Sequence, residues 1–328
     1  MDNRLLVSHS PHIDGRDTVS SIMLDVIIAL IPALVAGCIF FGMRALVVTI
    51  ICVFTCVASE YIWNKILRKP ETIGDFSAIV TGMLLAFNLP ASIPLWMAAI
   101  GSVFAIIIVK QFFGGIGHNF MNPALAGRAF LLASWALSMT TSYAPGTELP
   151  LFGTPDAVST ATPRVQIASG NGTVSYTELF LGSHGGCIGE TSVLAILIGA
   201  AYLLIKKVIR IRVPLIYIAT VAVGTWLFAG SEGICTGDWL YHIMSGGLML
   251  GAFFMATDYT TTPTTPVGQI IFALGCGVIT VLIRIWGGYP EGVSYSILLM
   301  NIVTPLIDKC TAPGRYGAVK VKEAASNE

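Results

Sequence analysis

Long apolar segments separated by short polar stretches dominate this sequence and decide what it can fold into. A helix needs about 20 apolar residues to cross the hydrocarbon core of a bilayer. Ten segments approach that length, at about residues 22–42, 45–63, 76–89, 94–113, 123–139, 191–205, 213–229, 240–256, 266–286 and 293–308. The third, eighth and tenth are short, so we expect them to be tilted, broken or half-buried. The pattern predicts an all-α polytopic membrane protein with about ten transmembrane helices.

The low charge of the chain supports a lipid environment. Only 11% of the residues are charged and 55% are hydrophobic, whereas soluble domains carry about 25% charged residues. A soluble chain of this size cannot bury so much apolar surface. The composition therefore excludes a cytosolic enzyme, a disordered chain and a nucleic-acid-binding protein, and it predicts membrane lipid as the main partner of the outer surface.

The distribution of Lys and Arg predicts the orientation, because cytoplasmic loops carry an excess of these residues. With the N-terminus inside, 15 of the 18 basic residues fall on the cytoplasmic side, and only Arg44, Arg164 and Arg284 fall outside. Both chain ends are then cytoplasmic. We expect five regions: a cytoplasmic segment 1–20, a first membrane repeat 21–139, an extracytoplasmic loop 140–190, a second membrane repeat 191–308 and a cytoplasmic tail 309–328.

Three pairs of similar strings, in the same order, relate the two halves. Ile73-Gly74-Asp75-Phe76 precedes the third span, and Thr236-Gly237-Asp238-Trp239 precedes the eighth. Gly82–Phe87 resembles Gly247–Phe253, and a Gly-Gly pair closes both the fourth and the ninth span. Because each half holds five spans, an odd number, the halves have opposite orientations. The sequence predicts two inverted five-helix repeats, an architecture typical of transporters and channels.

The sequence offers no recognisable catalytic or metal-binding motif. It has no Walker A loop, no HExxH and no cluster of His and Cys. We therefore predict no catalytic residue and no metal site in this chain.

The extracytoplasmic loop contains the string Asp156-Ala157-Val158-Ser159-Thr160-Ala161-Thr162-Pro163-Arg164. Pro163 biases Thr162 towards an extended backbone, which presents its hydroxyl to solvent. Arg164 lies on the same side of an extended segment and could pair with a phosphate esterified to Thr162. On composition alone, this string is also compatible with an ordinary Ser/Thr/Pro-rich loop.

Three stretches give the chain a resemblance to a known family. The string 156–162 resembles the flavinylation motif Asp-x-x-(Ser/Thr)-Gly-Ala-Thr, with Thr160 in place of Gly. Ser10–Ile13 followed by Ile22–Leu30, and Asn119–Phe130, resemble the N-terminus and an internal motif of the same family. This family contains the D subunit of the Rnf complex and the B subunit of the sodium-pumping NADH:quinone reductase. The shorter N-terminal region favours the Rnf protein.

The resemblance implies cofactors and residues that bind them. Thr162 would carry FMN through a phosphoester bond, with Asp156, Ser159 and Arg164 around it and a flavin transferase as the modifying partner. It also implies a second, non-covalent flavin, riboflavin, held by the amides of Asn119 and Asn122 at the start of the fifth span. The alternative for Asn122 is a purely local role, because Asn followed by Pro is a good helix N-terminus.

Three acids near the membrane are candidates for an ion or proton path. Asp25 lies in the first span, Glu60 near the end of the second and Asp75 just before the third. The alternatives are that Asp25 and Glu60 reach the interface or meet a basic neighbour such as Lys65, and that Asp75 caps a helix.

The predicted function follows from the resemblance. It implies a flavoprotein component of an ion-translocating electron transport complex in the prokaryotic inner membrane, which relays electrons between ferredoxin and NAD partners held by other subunits. It implies coupling to Na⁺ or H⁺ transport, without a choice between the ions. An inverted-repeat channel or secondary transporter for a small solute and a structural anchor for redox subunits are the alternatives.

Overall fold

The described part of the chain consists of helices joined by turns and loops. The computed structural model describes residues 18–141, 143, 145–147, 150–151, 174–230, 233, 235–287 and 291–312. Within these residues there is no β-strand, only an isolated bridge between Pro90 and Cys187. Four helices are long and apolar enough to cross a membrane: α1 (Val19–Phe41), α2 (Met43–Ile66), α12 (Pro266–Trp286) and α13 (Val293–Thr311). The chain is therefore a multi-pass membrane protein.

The remaining helices are shorter. They are α3 (Ser77–Phe87), α4 (Leu95–Gln111), α5 (Pro123–Ser134), α6 (Ala136–Thr140), α7 (Tyr176–Leu181), α8 (Val193–Ile205), α9 (Arg212–Phe228), α10 (Trp239–Met244) and α11, which has an α-helical turn at Leu248–Leu250 and a π-helical part at Gly251–Met255. The second half of α4, Phe104–Gln111, is also π-helical. Such π-helical turns are rare and are frequently found at functional sites.

Local sequence explains where these helices begin and end. Thr18 caps α1 in a reciprocal pair with Ser21, and Gly42, at a φ of 69° that favours glycine, separates α1 from α2. Helix α3 ends before Leu89-Pro90, because a residue that precedes proline disfavours the helical region. With 11 residues, α3 spans about 16 Å, roughly half of the hydrocarbon core.

The predicted spans agree with the observed helices in most places and are wrong in two. The third segment is the short helix α3, and the eighth is broken between α10 and α11, as predicted. The tenth was predicted to be short, but it is the continuous 19-residue helix α13. The fifth was predicted to be continuous over 123–139, but it breaks at Trp135 between α5 and α6. The number of crossings, the inverted repeat and the cytoplasmic side of both ends remain predictions.

Contacts between helix ends define two faces of the bundle. On the face where α1 begins, Ser20 bonds Gly74, Tyr259 bonds Val208 and Asp308 bonds Thr264. We call this the N-terminal face; it includes the start of α1 and the end of α13. On the opposite, far face, Arg44 donates to the carbonyls of Ala91, Ile93, Pro150 and Leu151. This buried arginine holds the α3–α4 loop against the start of α2.

Small residues allow the two halves to pack closely. In α8, a Cβ on Gly199 would lie 2.0 Å from the carbonyl oxygen of Ala29 in α1. Side chains such as Phe54 and Ile205, by contrast, are exposed on the outside of the bundle. Membrane helices pack through small residues because lipid provides no hydrophobic drive for association. The fold therefore has small residues between helices and large apolar residues facing outward.

Candidate functional site

A cleft opens on the N-terminal face between the two halves of the chain; we call it the N-face cleft. It has a volume of about 100 Å³. Its walls are mainly apolar, from Val26, Val80, Leu84, Leu203 and Phe254, and its polar groups come from Ser77, Lys110, Asn119, Asn122, Asp258 and Thr260. Apolar walls with a few polar groups are typical of sites for small organic ligands and cofactors.

Asn119 and Asn122, the predicted flavin ligands, both line this cleft. Asn119 Nδ2 donates to the carbonyl of Met121 at 3.1 Å and to Thr260 Oγ1 at 3.0 Å. No described residue donates to Asn119 Oδ1, so this oxygen can accept a hydrogen bond from a ligand. Asn119 thus combines a fixed position with a free acceptor.

Asn122 has a local role in addition. Its Oδ1 accepts from the backbone amides of Ala124, at 3.0 Å, and Leu125, at 3.4 Å, and thereby caps α5. Its Nδ2 donates to the carbonyl of Met255 at 3.4 Å. The helix-capping interpretation of Asn122 is therefore confirmed, and this side chain has less capacity left for a ligand than Asn119.

A buried ion pair forms one wall of the cleft. Lys110 Nζ lies 2.8 Å from Glu60 Oε2, and the two side chains are only 4% and 1% exposed. The predicted partner of Glu60, Lys65, is not the basic group it meets; Lys110 of α4 takes that place. Thr72 donates to Glu60 Oε1 at 2.6 Å. Because a buried charge is costly unless it is paired and hydrogen-bonded, these contacts explain why α2 can hold a carboxylate here.

The structure connects Asp75 to this pair but leaves Asp25 apart. Lys110 also donates to Ser77 Oγ at 2.6 Å, and Ser77 Oγ donates to Asp75 Oδ1 at 2.5 Å. Asp75 also accepts from the backbone amide of Ser77, next to the start of α3. Asp25 instead accepts from Tyr202 at 2.7 Å and lies 3.7 Å from Lys206. Of the three candidate acids, only Glu60 and Asp75 share one hydrogen-bond network.

Asp258 contributes an acid at the other side of the N-face cleft. It lies in the loop between α11 and α12 and accepts hydrogen bonds from Thr260 and Thr261. Burial raises the pKa of Asp258, and the threonine hydrogen bonds oppose that rise. Thr260 also accepts a hydrogen bond from Asn119. The hydroxyl group of Thr260 therefore links Asp258 to Asn119, a residue predicted to bind the flavin.

A second group of charged residues lies towards the far face. Arg128 of α5 pairs with Glu291 in the loop before α13 and donates to Asn88 Oδ1 at 3.1 Å and Ser294 Oγ at 2.9 Å. Arg128 therefore neutralises a buried acid. Arg128 lines a separate opening, the far-face cleft, together with Glu190, Glu291, Thr140, Thr141 and Tyr295.

Hydrogen bonds join the two clefts through the interior. Asn122 bonds the carbonyl of Met255, Asn88 Nδ2 contacts Met255 Sδ at 3.5 Å, and Asn88 Oδ1 accepts from Arg128. We call these four residues, Asn122, Met255, Asn88 and Arg128, the polar chain. They meet where α3 ends, where α5 begins and where α11 ends, so the broken helices place polar groups in the middle of the bundle.

The predicted covalent site cannot be placed in this way. Thr162, Asp156, Ser159 and Arg164 lie outside the described residues. Within the part that is described, there is no group of three or more His, Cys, Asp or Glu side chains able to hold a metal.

Several functional candidates belong to no motif in the sequence. They are Lys110, Glu190 and Glu291. The signal was present: Glu190 and Glu291 are the acids closest to the starts of the sixth and tenth spans, in a chain with few charges. An acid in a short stretch between apolar segments is a functional candidate.

Comparisons with known proteins agree over nearly the whole chain. Residues 6–317 match the sequence model of the NQR2, RnfD, RnfE family. The chain is 53% identical over 326 residues to the D subunit of the Na⁺-translocating ferredoxin:NAD⁺ oxidoreductase complex from Acetobacterium woodii, covering 98% of each chain. It is 49% identical over 326 residues to the D subunit of the proton-translocating ferredoxin:NAD⁺ oxidoreductase complex from Clostridium ljungdahlii, covering 96% of this chain and 97% of that one.

Proposed function

Because the chain belongs to the NQR2, RnfD, RnfE family, we propose that it is the D subunit of an ion-translocating ferredoxin:NAD⁺ oxidoreductase complex of the Rnf type. Two relatives with this name each cover nearly the full length of the chain. The chain is part of an enzyme but has no catalytic residue of its own in this proposal. Ferredoxin and NAD⁺ would bind other subunits of the complex, in the inner membrane of a prokaryote.

The cleft on the N-terminal face is the observation that carries the cofactor part of the proposal. The residues of the cleft fit a flavin ring: apolar side chains form the walls, and Asn119 Oδ1 offers an acceptor on the polar side, which also includes Lys110 and Ser77. In this proposal Asn119 orients a non-covalent riboflavin, while Asn122 supports the position of α5 beside it.

The second proposed flavin is FMN on Thr162, and it rests on the resemblance of the loop motif. Asp156 and Ser159 would be read by the flavin transferase, and Arg164 would neutralise the phosphate. A tethered group stays at high effective concentration near its partners. A flavin, when bound, supplies one- and two-electron redox chemistry, which suits a protein placed between one-electron and two-electron carriers.

Coupling to ion movement is proposed at Glu60 and Asp75. Lys110 lines the N-face cleft and also bonds Glu60 and Ser77. A change of charge in the cleft would therefore act first on Lys110 and, through it, on Glu60. This arrangement links a cofactor pocket to a buried acid, as a redox-driven pump requires. One relative is named for Na⁺ and another for protons, so either cation fits the proposal.

The covalent site is tested by producing the protein with its flavin transferase and running a denaturing gel. A fluorescent band is expected for the natural sequence and for Thr160→Gly, which restores the family motif, and no band for Thr162→Ala. Mass spectrometry of the loop peptide should find the FMN mass on Thr162. An unmodified peptide from assembled, active complex would refute this part of the proposal.

The cleft is tested by measuring the flavin released on denaturation of the purified complex. Asn119→Ala should lower the riboflavin content while leaving the covalent FMN unchanged. Thr225→Ala, a change at a buried polar residue of α9 outside the cleft, is the control and should keep both. Unchanged riboflavin in Asn119→Ala would contradict the placement.

A passive channel or transporter is the second candidate, and the broken helices and polar chain favour it. It predicts solute or ion flux through liposomes that contain the chain without flavin. In the redox proposal, flux requires electron transfer, so Thr162→Ala complexes should neither oxidise ferredoxin with NAD⁺ nor move ions.

A further inference from the structure

The far-face cleft contains two acids that the proposed electron path does not use. Glu190 lies in the segment between α7 and α8 and is 3% exposed, and Glu291 lies between α12 and α13. A Cβ built on Gly247 would lie 2.9 Å from Glu190 Oε2, and 3.9 Å from both Glu291 Oε2 and Arg128 Nη1. Two carboxyl groups and one guanidinium therefore converge on the same point.

The hydrogen bonds of the two acids differ. Glu291 pairs with Arg128. Glu190 Oε1 accepts from the amide of Cys187 at 3.2 Å, but Glu190 Oε2 has no hydrogen-bond donor among the described residues. A buried carboxylate oxygen without a donor is costly. A proton on Glu190 Oε2 removes this cost, because the oxygen becomes a donor that faces the neighbouring carboxylate.

The charges around Glu190 are consistent with this protonation state. Arg128 and Arg284 are the cations that face it, and Glu291 and the thiol of Cys187 are the other titratable groups beside it. Burial raises the pKa of Glu190 to about 8, and the nearby charge of Glu291 adds to the rise. Glu291 stays ionised because Arg128 holds it.

We propose that Glu190 and Glu291 form a proton-exchange site in which the two carboxyl groups share one proton and Glu190 exchanges it with the far-face cleft. The cleft has a volume of about 70 Å³, room for more than one water molecule, and its rim includes the exposed Thr140. Uptake converts the carboxylate of Glu190 to the acid, and release returns the proton to water in the cleft. The site goes beyond the proposed electron path and does not depend on a flavin.

The test uses dicyclohexylcarbodiimide, which reacts with protonated carboxyl groups in apolar surroundings, on the purified complex across a pH series. Peptide mass spectrometry should find Glu190 modified at neutral pH, with modification falling about tenfold per pH unit above its pKa. The exposed acid Glu71 is the internal control and should stay unmodified. Infrared difference spectra between neutral and alkaline pH should show a protonated carboxyl band that is absent from Glu190→Gln.

The variant Glu291→Gln tests whether the acids share the proton. Removal of that negative charge leaves Glu190 as the carboxyl partner of Arg128, so the midpoint of Glu190 modification should move to lower pH. An unchanged midpoint in Glu291→Gln would overturn the proposal. The absence of the infrared band from the natural complex would also overturn it, as would protection of Glu190 by added Na⁺ at constant pH, since the site would then bind Na⁺.

Discussion

Replacement of Lys110 with methionine is the sharpest test of the buried ion pair beside the N-face cleft. Methionine keeps the length of the apolar stem and removes the charge. Glu60, which is 1% exposed, would then be a buried carboxylate without its cation, a situation that costs about 3–5 kcal/mol. At roughly 2 °C per kcal/mol for a chain of this size, the apparent melting temperature should fall by about 6–10 °C.

Native cysteines provide the assay. Cys52, Cys56, Cys187 and Cys276 are buried and become reactive towards a fluorogenic maleimide when the bundle opens on heating. Lys206→Met is the matched control, because the Lys206 side chain is 52% exposed and lies 3.7 Å from Asp25. A surface pair of this kind contributes about 0–1 kcal/mol, so the control should shift the melting temperature by about 2 °C at most.

The double variant Glu60→Gln, Lys110→Met separates charge from packing. A neutral amide at position 60 no longer needs a cation and can still accept from Thr72, so most of the lost stability should return. If the double variant melts as early as Lys110→Met alone, the loss comes from packing around the stem of Lys110. The account of Glu60 as a charge held by Lys110 would then be refuted.

Variants that test three further features can be followed in the same thermal assay. Asn122→Ala removes the cap of α5 and should cost about 1 kcal/mol, whereas Asn122→Ser keeps a capping oxygen and should lose less stability. Gly199→Ala forces a Cβ to within 2.0 Å of the carbonyl of Ala29 and should cost about 1–3 kcal/mol, while Gly74→Ala, which meets nothing within 4 Å, should be nearly neutral. Tyr217→Phe removes hydrogen bonds to Thr280 and Ser296, whose hydroxyl groups stay bonded to each other, and should cost about 0.5–1.5 kcal/mol; a melting temperature equal to that of the natural protein would contradict it.

Much of the fold could be predicted because the hydropathy of a segment depends only on the residues within it. The short third span follows from Leu89-Pro90, and the break in the eighth follows from Gly246 and Gly247. The end of the tenth span was misplaced because Asp308 and Lys309 lowered the apparent hydropathy, although both belong to the last turn of α13. The break at Trp135 carries no proline or glycine, so nothing in the local sequence signals it.

The site was predictable to the extent that a motif marked it. Asn119 and Asn122 were recognised together and do line one cleft. The pairing of Glu60 with Lys110 and of Arg128 with Glu291 was not predicted, because the partners are 50 and 163 residues apart. A single sequence shows which charges need partners but not which distant helix supplies them.

The polar chain has an electrical consequence. Asn122 borders one cleft and Arg128 borders the other, and Met255 and Asn88 are the links of the chain between them. If water enters each cleft from its own side of the membrane, the transmembrane voltage falls mainly across the polar chain. A unit charge that moved past Met255 and Asn88 would then cross most of that voltage, about 2.3 kcal/mol for each 100 mV.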